Sequence, residues 1–521
     1  MDMKSKRQRL IVGAGIVAST VVLAGALFAC SSGAGSQVEA DTTEAAPEAT
    51  AEVSTSYPAA VADEAQAPTT VPDADSFGVI TADSWRDIYP NEYLTYLENA
   101  DNVPPEYAEI TATEPDVTSV GIDQMDSFES DKADFLEMYP EIKTLGKGYG
   151  YAKYYTEPAG HTYSLWSIEH NGRLGDVRGG TSKGKLSCYA CKTPQIHFEA
   201  AEEDDGSGEY WTQPVGNGVD HFTENISCAN CHVNDNPTQL NVLRADWVRA
   251  MGDDAETVPM EAQVCGQCHC DYSMAPTGDG AVAPFNDGEP TSPYYGGTDS
   301  MVPEKALEFY DEYNFSDWTY ASTGAKMLAV RHAEFEFNYG GEGSYMANLG
   351  YTCKDCHMGV ATADDGSTYT NHHWTSPLEN EELIANDCSR CHNPNEPGHV
   401  DLVTEVKAIQ DDIDGRTHEL GLRAEQFIFN FEDKVSVEEE VDGEMTKVFD
   451  MDTAKANGLT EDQVARLQQI QREACYYWNY AAAENSEGAH NPALYNELLD
   501  KGNELLDEAD EILGVDSHVE A

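Results

Sequence analysis

Cys188-Tyr-Ala-Cys191-Lys192 opens a run of five Cys-x-x-Cys pairs. Cys228-Ala-Asn-Cys231-His232, Cys265-Gly-Gln-Cys268-His269, Cys353-Lys-Asp-Cys356-His357 and Cys388-Ser-Arg-Cys391-His392 complete it. Two thiols three residues apart can bond the two vinyl groups of one porphyrin, and the next residue then falls under the iron, where an imidazole serves as proximal ligand. A shuffled chain with 13 Cys and 15 His in 521 residues would contain about 0.01 Cys-x-x-Cys-His motifs, so four are no accident. Zinc knuckles share the Cys-x-x-Cys spacing but have no need of a His directly after every second Cys. Disulfides closed over such short loops are strained and leave the histidines unexplained.

The first motif ends in Lys192 instead of His. A lysine must lose its proton to ligate, and its amine has no π system, so this iron differs electronically from its neighbours. An iron with His on both faces has no open position and only passes electrons. The four regular sites need distal imidazoles from elsewhere, and eleven further histidines supply them. Lys192 therefore marks the expected substrate site, on a haem whose other face is open.

Around this run the chain changes character. Lys4, Lys6, Arg7 and Arg9 precede an apolar stretch and then Leu27-Phe28-Ala29-Cys30, which reads as a signal peptide over 1–29 of lipoprotein type, with Cys30 acylated. An uncleaved membrane anchor is the alternative. Residues 30–76 are poor in aromatics and lack a hydrophobic period, as a disordered tether would be. The pentahaem catalytic region is expected over 77–399, with short helices and loops. Residues 400–521 are expected to be a helical region of the same folded unit, because 400–431, 460–484 and 491–513 carry apolar residues at three and four spacing. The Glu438-Glu-Glu-Val-Asp-Gly segment reads as an exposed hairpin or loop. The fold class is therefore mainly α: a multihaem cytochrome c with a haem-packed core and long C-terminal helices.

With 30 basic against 94 acidic side chains, the formal charge of −64 argues against nucleic acid or an anionic lipid surface as a partner. Membrane contact is expected through the N-terminal lipid or anchor only, which places the body outside the cytoplasm.

The ordered motifs, together with Trp85-Arg-Asp-Ile-Tyr-Pro90, Gly160-His161-Thr-Tyr163 and Glu487-Gly-Ala-His490-Asn-Pro492, resemble those of the pentahaem ammonia-forming cytochrome c nitrite reductases. The resemblance implies five covalent c-type haems and six-electron reduction of nitrite to ammonium. It implies a homodimer, and a membrane quinol-oxidising cytochrome or a soluble donor as electron source. Proximal ligands would be Lys192, His232, His269, His357 and His392, and distal ligands His161, His372, His418 and His490, with His373 adjacent to the second of these positions. Arg173, Tyr272 and His332 would surround the open face, and Arg178 is the alternative arginine. Guanidinium holds an anion without losing its proton, and imidazole can donate to nitrite oxygen.

One departure concerns calcium. Family members that hold this ion use an acidic residue, the backbone of the catalytic Tyr and a Lys-x-Gln-His segment. Here Asp271 keeps the acid, but Ala329-Val330-Arg331-His332 lacks both Lys and Gln. By resemblance to calcium-free members, Arg331 is expected to take the ion's place against Asp271, and calcium to be absent. The remaining thiols, Cys270 and Cys475, read as buried structural residues, with a disulfide between them as the alternative. Two rival functions stand beside nitrite reduction: a non-catalytic multihaem electron conduit, for which Lys192 has no use, and a related reductase acting on sulfite or hydroxylamine.

Overall fold

The computed structural model describes residues 60–103, 135–149, 160–170, 174–182, 184–204, 208–271, 293–393, 395, 400–441 and 444–518. By compactness the chain divides into Met1–Ser54 and Thr55–Ala521. The first unit, with Cys30, lies outside the described residues.

The periodic C-terminal segments form three long helices: α1 Leu402–Val435, α2 Glu461–Ala483 and α3 Pro492–Leu513. Each starts on a side chain that accepts an orphan backbone N–H. Asp401 takes Thr404 N, Thr460 takes Gln463 N within a capping box, and Asn491 takes Leu494 N ahead of Pro492. Gly514, at φ 67°, ends α3 in the left-handed conformation that favours glycine. Leu420, Ala424, Phe427 and Phe431 line the buried stripe of α1, facing Leu467, Ala474 and Trp478 of α2 and Leu498, Leu499 and Leu506 of α3. Burying one such phenylalanine or leucine contributes about 1.5–3 kcal/mol. Gly502 permits the close approach of α3 to α1, since a Cβ there would stand 2.7 Å from Leu420 Cδ2.

Between α1 and α2 an antiparallel hairpin, β1 Ser436–Val441 with β2 Glu444–Phe449, carries Glu438, Glu439 and Glu440 on exposed positions. It matches the exposed hairpin expected there.

The haem region is built of short pieces. Its described helices run from four to ten residues, and its sheets are two-stranded hairpins such as Val360–Thr362 with Thr368–Thr370. Two apolar clusters sit here, one around Leu186, Tyr189, Ile196 and Trp211, the other around Trp247, Met251, Ala262 and Phe335. The architecture is mainly α, with little sheet.

Of the stretch 30–76 read as a tether, residues 60–76 are described, and they lie along the body. Ala60 N donates to Asp387, Asp63 N to Thr368 Oγ1 at 2.9 Å, and Thr368 N back to Asp63 Oδ2 at 2.8 Å. Asp75 accepts from Gln195 Nε2 at 2.6 Å. The polar composition that leaves this segment without a core of its own suits it to such pairing. Among the described residues, no helix is long and apolar enough to cross a membrane.

Candidate active site

Each Cys-x-x-Cys pair lies on a single turn. Cys228–Cys231 and Cys353–His357 are short helices opened by capping boxes, Ser227 with Asn230 and Thr352 with Asp355. Cys188 and Cys388 lie in 3₁₀ turns, and Cys265 lies in the last turn of the helix Met260–Gly266. A turn brings residues three apart onto one face, which aims both sulfurs at the same ligand.

The histidines are spaced for metal. An imidazole nitrogen bonds a metal at about 2 Å, so two rings facing across one ion have centroids about 6 Å apart. His232 and His372 stand at 6.1 Å, His357 and His490 at 6.1 Å, and His269 and His161 at 5.9 Å. Each pair joins a motif histidine to a distant one. Burial drives His161 down to about 3 and His232 and His357 down to about 4, so these rings stay neutral, the form a metal takes. Inside the first motif the Tyr189 hydroxyl is buried and finds no partner among the described residues, and its ring packs against Phe222. The residues present fit covalently bound haems.

His418 is not brought beside His392. Its Nδ1 lies 3.1 Å from Glu141 Oε1, whereas His392 Nδ1 lies 3.2 Å from Glu405 Oε2. Glu405 and His418 are thirteen residues apart on α1, a rise of about 20 Å, so the two imidazoles do not face each other across one iron. His373 pairs instead with Glu98, 3.6 Å away.

The motifs also touch one another. Cys191 is within hydrogen-bonding reach of Cys268, and Cys353 of Cys265. Cys356 feels the charge of Cys388, and Cys268 that of Cys231. The first, third, fourth and fifth motifs therefore adjoin one another in that order, with the second beside the third.

Lys192 is close enough to His161 and His269 to act on both electrostatically, and its backbone carbonyl accepts from Ser164 Oγ at 2.7 Å. His332 enters the same cluster, with its ring 5.9 Å from that of His269 and its Nδ1 3.6 Å from Glu334 Oε1. Burial works against the Glu334 charge, yet His332 and His269 hold its carboxyl down to about 2. Sequence reading gave no notice of Glu334, or of Arg244. The latter is buried, with Nη1 3.3 Å from Cys191 Sγ and 2.6 Å from Gln267 O, and its charge is matched by Asp246. A buried arginine almost always has such a partner, but nothing in its sequence neighbourhood points to the first motif.

Arg173 and Tyr272 lie outside the described residues. Arg178 is exposed and occupied by Glu169 at 2.5 Å and Asp220 at 2.9 Å. Asp271 is fully buried, and burial lifts its carboxyl to about 6 against the pull of Arg331. Arg331 donates its backbone N–H to Asp271 Oδ1 at 3.1 Å, and its guanidinium to Asp317 Oδ1 at 2.7 Å and to Ala329 O at 2.8 Å. Its Nη1 stands 3.9 Å from Asp271. Cys270 and Cys475 are both buried, lie in separate apolar clusters, and form no disulfide.

Comparison with known proteins agrees with this arrangement: the profile of the cytochrome c552 family matches residues 81–516. The chain belongs to that family. The cytochrome c nitrite reductase subunit NrfA of Nitratidesulfovibrio vulgaris (strain Hildenborough) is 29% identical over 429 residues, covering 78% of this chain and 73% of the relative. Among solved structures, the cytochrome c nitrite reductase of Desulfovibrio desulfuricans superposes with a TM-score of 0.62 at 22% identity, covering 83% of this chain and 86% of that one. That likeness establishes the family's fold.

Proposed function

We propose that this protein is an ammonia-forming cytochrome c nitrite reductase, which converts nitrite, six electrons and eight protons to ammonium and two waters. The observation that carries the reading is the substitution of Lys192 for histidine in one of five otherwise regular motifs, placed against the His161–His269 pair in a chain similar to NrfA. Cys188 and Cys191 would hold the first haem and Lys192 would ligate it. That haem, when bound, supplies an iron that takes nitrite and passes it electrons.

The chain's own groups do the rest. His332, set in place by Glu334, donates to a nitrite oxygen and passes on protons. Arg173 holds the anion, and Tyr272 donates from the phenol. The contiguous motifs would hold the remaining haems beside the first, where those haems would supply electrons. Four of the five motifs, at His232, His269, His357 and His392, serve as the relay. For the third, we take His161 as the distal ligand and leave His332 to the pocket. Arg331 stands in for calcium: its guanidinium lies between Asp271 and Asp317, whereas the D. desulfuricans enzyme is described with two calcium sites. The body is tethered outside the cytoplasm through Cys30, works as a homodimer, and draws electrons from a membrane quinol-oxidising cytochrome or a soluble carrier.

Purified protein, given a strong artificial reductant and nitrite under argon, should release ammonium and show five haems per chain by haemochrome absorbance. Nitric oxide as the main product, or four haems, would overturn the reading. Stoichiometric calcium in the same preparation would remove the role given to Arg331.

A further inference from the structure

The distal imidazoles are not held alike. His372 Nδ1 lies 2.9 Å from the backbone carbonyl of Thr370. His490 Nδ1 instead meets the carboxylate of Glu484, whose side chain is fully buried. Glu484 is itself fixed by donors on its other oxygen: Ser486 N at 3.0 Å, Ser486 Oγ at 2.6 Å and the hydroxyl of buried Tyr495. A carboxylate behind a ligating imidazole makes the ligand more basic and favours the more oxidised metal, whereas a neutral carbonyl does so less. Hydrogen bonding and buried charge near a haem act directly on its potential.

We propose that Glu484 sets the potential of the fourth haem below that of the second by accepting the Nδ1–H of His490, with Tyr495 and Ser486 holding the carboxylate in place. This rests on the assignment of c-type haems made above. Glu484 is a positioning and tuning residue that touches no substrate. A low-potential centre in the middle of the series does not retain electrons.

The geometry also provides the readout. The rings of His357 and His490 are inclined at 73°, against 34° for His232 and His372 and 45° for His161 and His269. Steeply inclined axial imidazoles leave the iron dπ orbitals nearly degenerate and give a strongly anisotropic low-spin ferric EPR signal. The less inclined pairs give more rhombic signals. Among these three pairs the fourth haem's signal is the distinct one, and it can be followed in a redox titration of the intact protein.

Glu484→Gln removes the charge and should shift the midpoint of the strongly anisotropic signal to a more positive potential, with the rhombic signals unmoved. Tyr495→Phe removes a donor that draws charge from the carboxylate and should shift the same midpoint the other way. Opposite signs separate tuning from mere loosening of the pocket, which would move both variants alike. An unmoved midpoint in five-haem Glu484→Gln protein, or a positive shift in Tyr495→Phe, would overturn the proposal. If Glu484→Gln fails to mature, Tyr495→Phe decides alone. Haem count and ammonium yield of the unmodified protein test the underlying assignment separately.

Discussion

The stretch from Cys188 to His392 and the bundle α1–α3 obtain their cores by different means. The bundle interdigitates its own leucines, phenylalanines and aromatics along helical stripes, and its caps satisfy its helix starts. The haem stretch spends its length on single turns and two-stranded hairpins, with its histidines set in pairs about 6 Å apart on either side of a space that haem would fill. One region encodes a core in side chains; the other encodes the boundary of a core that a cofactor completes.

The largest test of that contrast is to withhold the cofactor. Produced without covalent haem attachment, the protein should be cleaved by a limiting protease within 188–392 well before 402–513, as read by mass spectrometry of the fragments. Equal resistance of the two regions would show that the haem stretch has a self-sufficient core.

A smaller effect should be confined to chemistry. His332→Ala should lower kcat/KM for nitrite by about 100-fold or more with the haem count unchanged, and Lys192→His should keep five haems and slow turnover in the same assay. Unchanged kinetics in the second variant would mean that the lysine is electronically unimportant.

On the bundle side, Phe427→Ala should cost about 3–5 kcal/mol, measured as a lower Tm, without moving the haem absorbance. Gly502→Ala, which presses a methyl on Leu420, should cost about 1–3 kcal/mol. A haem spectrum that changes with either would mean that the two regions do not divide the work as their cores suggest.

The contrast also explains what the sequence disclosed. Helices α1–α3 were legible to within a few residues, because a side-chain core leaves its period in the chain. The five Cys-x-x-Cys motifs were legible because thioether chemistry fixes their spacing. Which distant histidine stands opposite which motif histidine was not, since His161, His372 and His490 reach their partners across 108, 140 and 133 residues of chain by their numbering. Glu484 lies only six residues before His490, but a glutamate near a histidine is common in so acidic a chain. Glu141 behind His418 left no trace, being 277 residues away.

The reciprocal pair formed by Asp63 and Thr368 bears on how this molecule meets others. Thr368–Thr370 is one strand of a two-stranded hairpin, and a strand at an edge offers its backbone N–H and C=O groups to any extended chain that passes. Here the protein's own N-terminal segment takes the Thr368 N–H, and Asp63 brings a negative charge to the same place. At this edge, pairing with a foreign strand would first have to displace a segment that is covalently part of the protein.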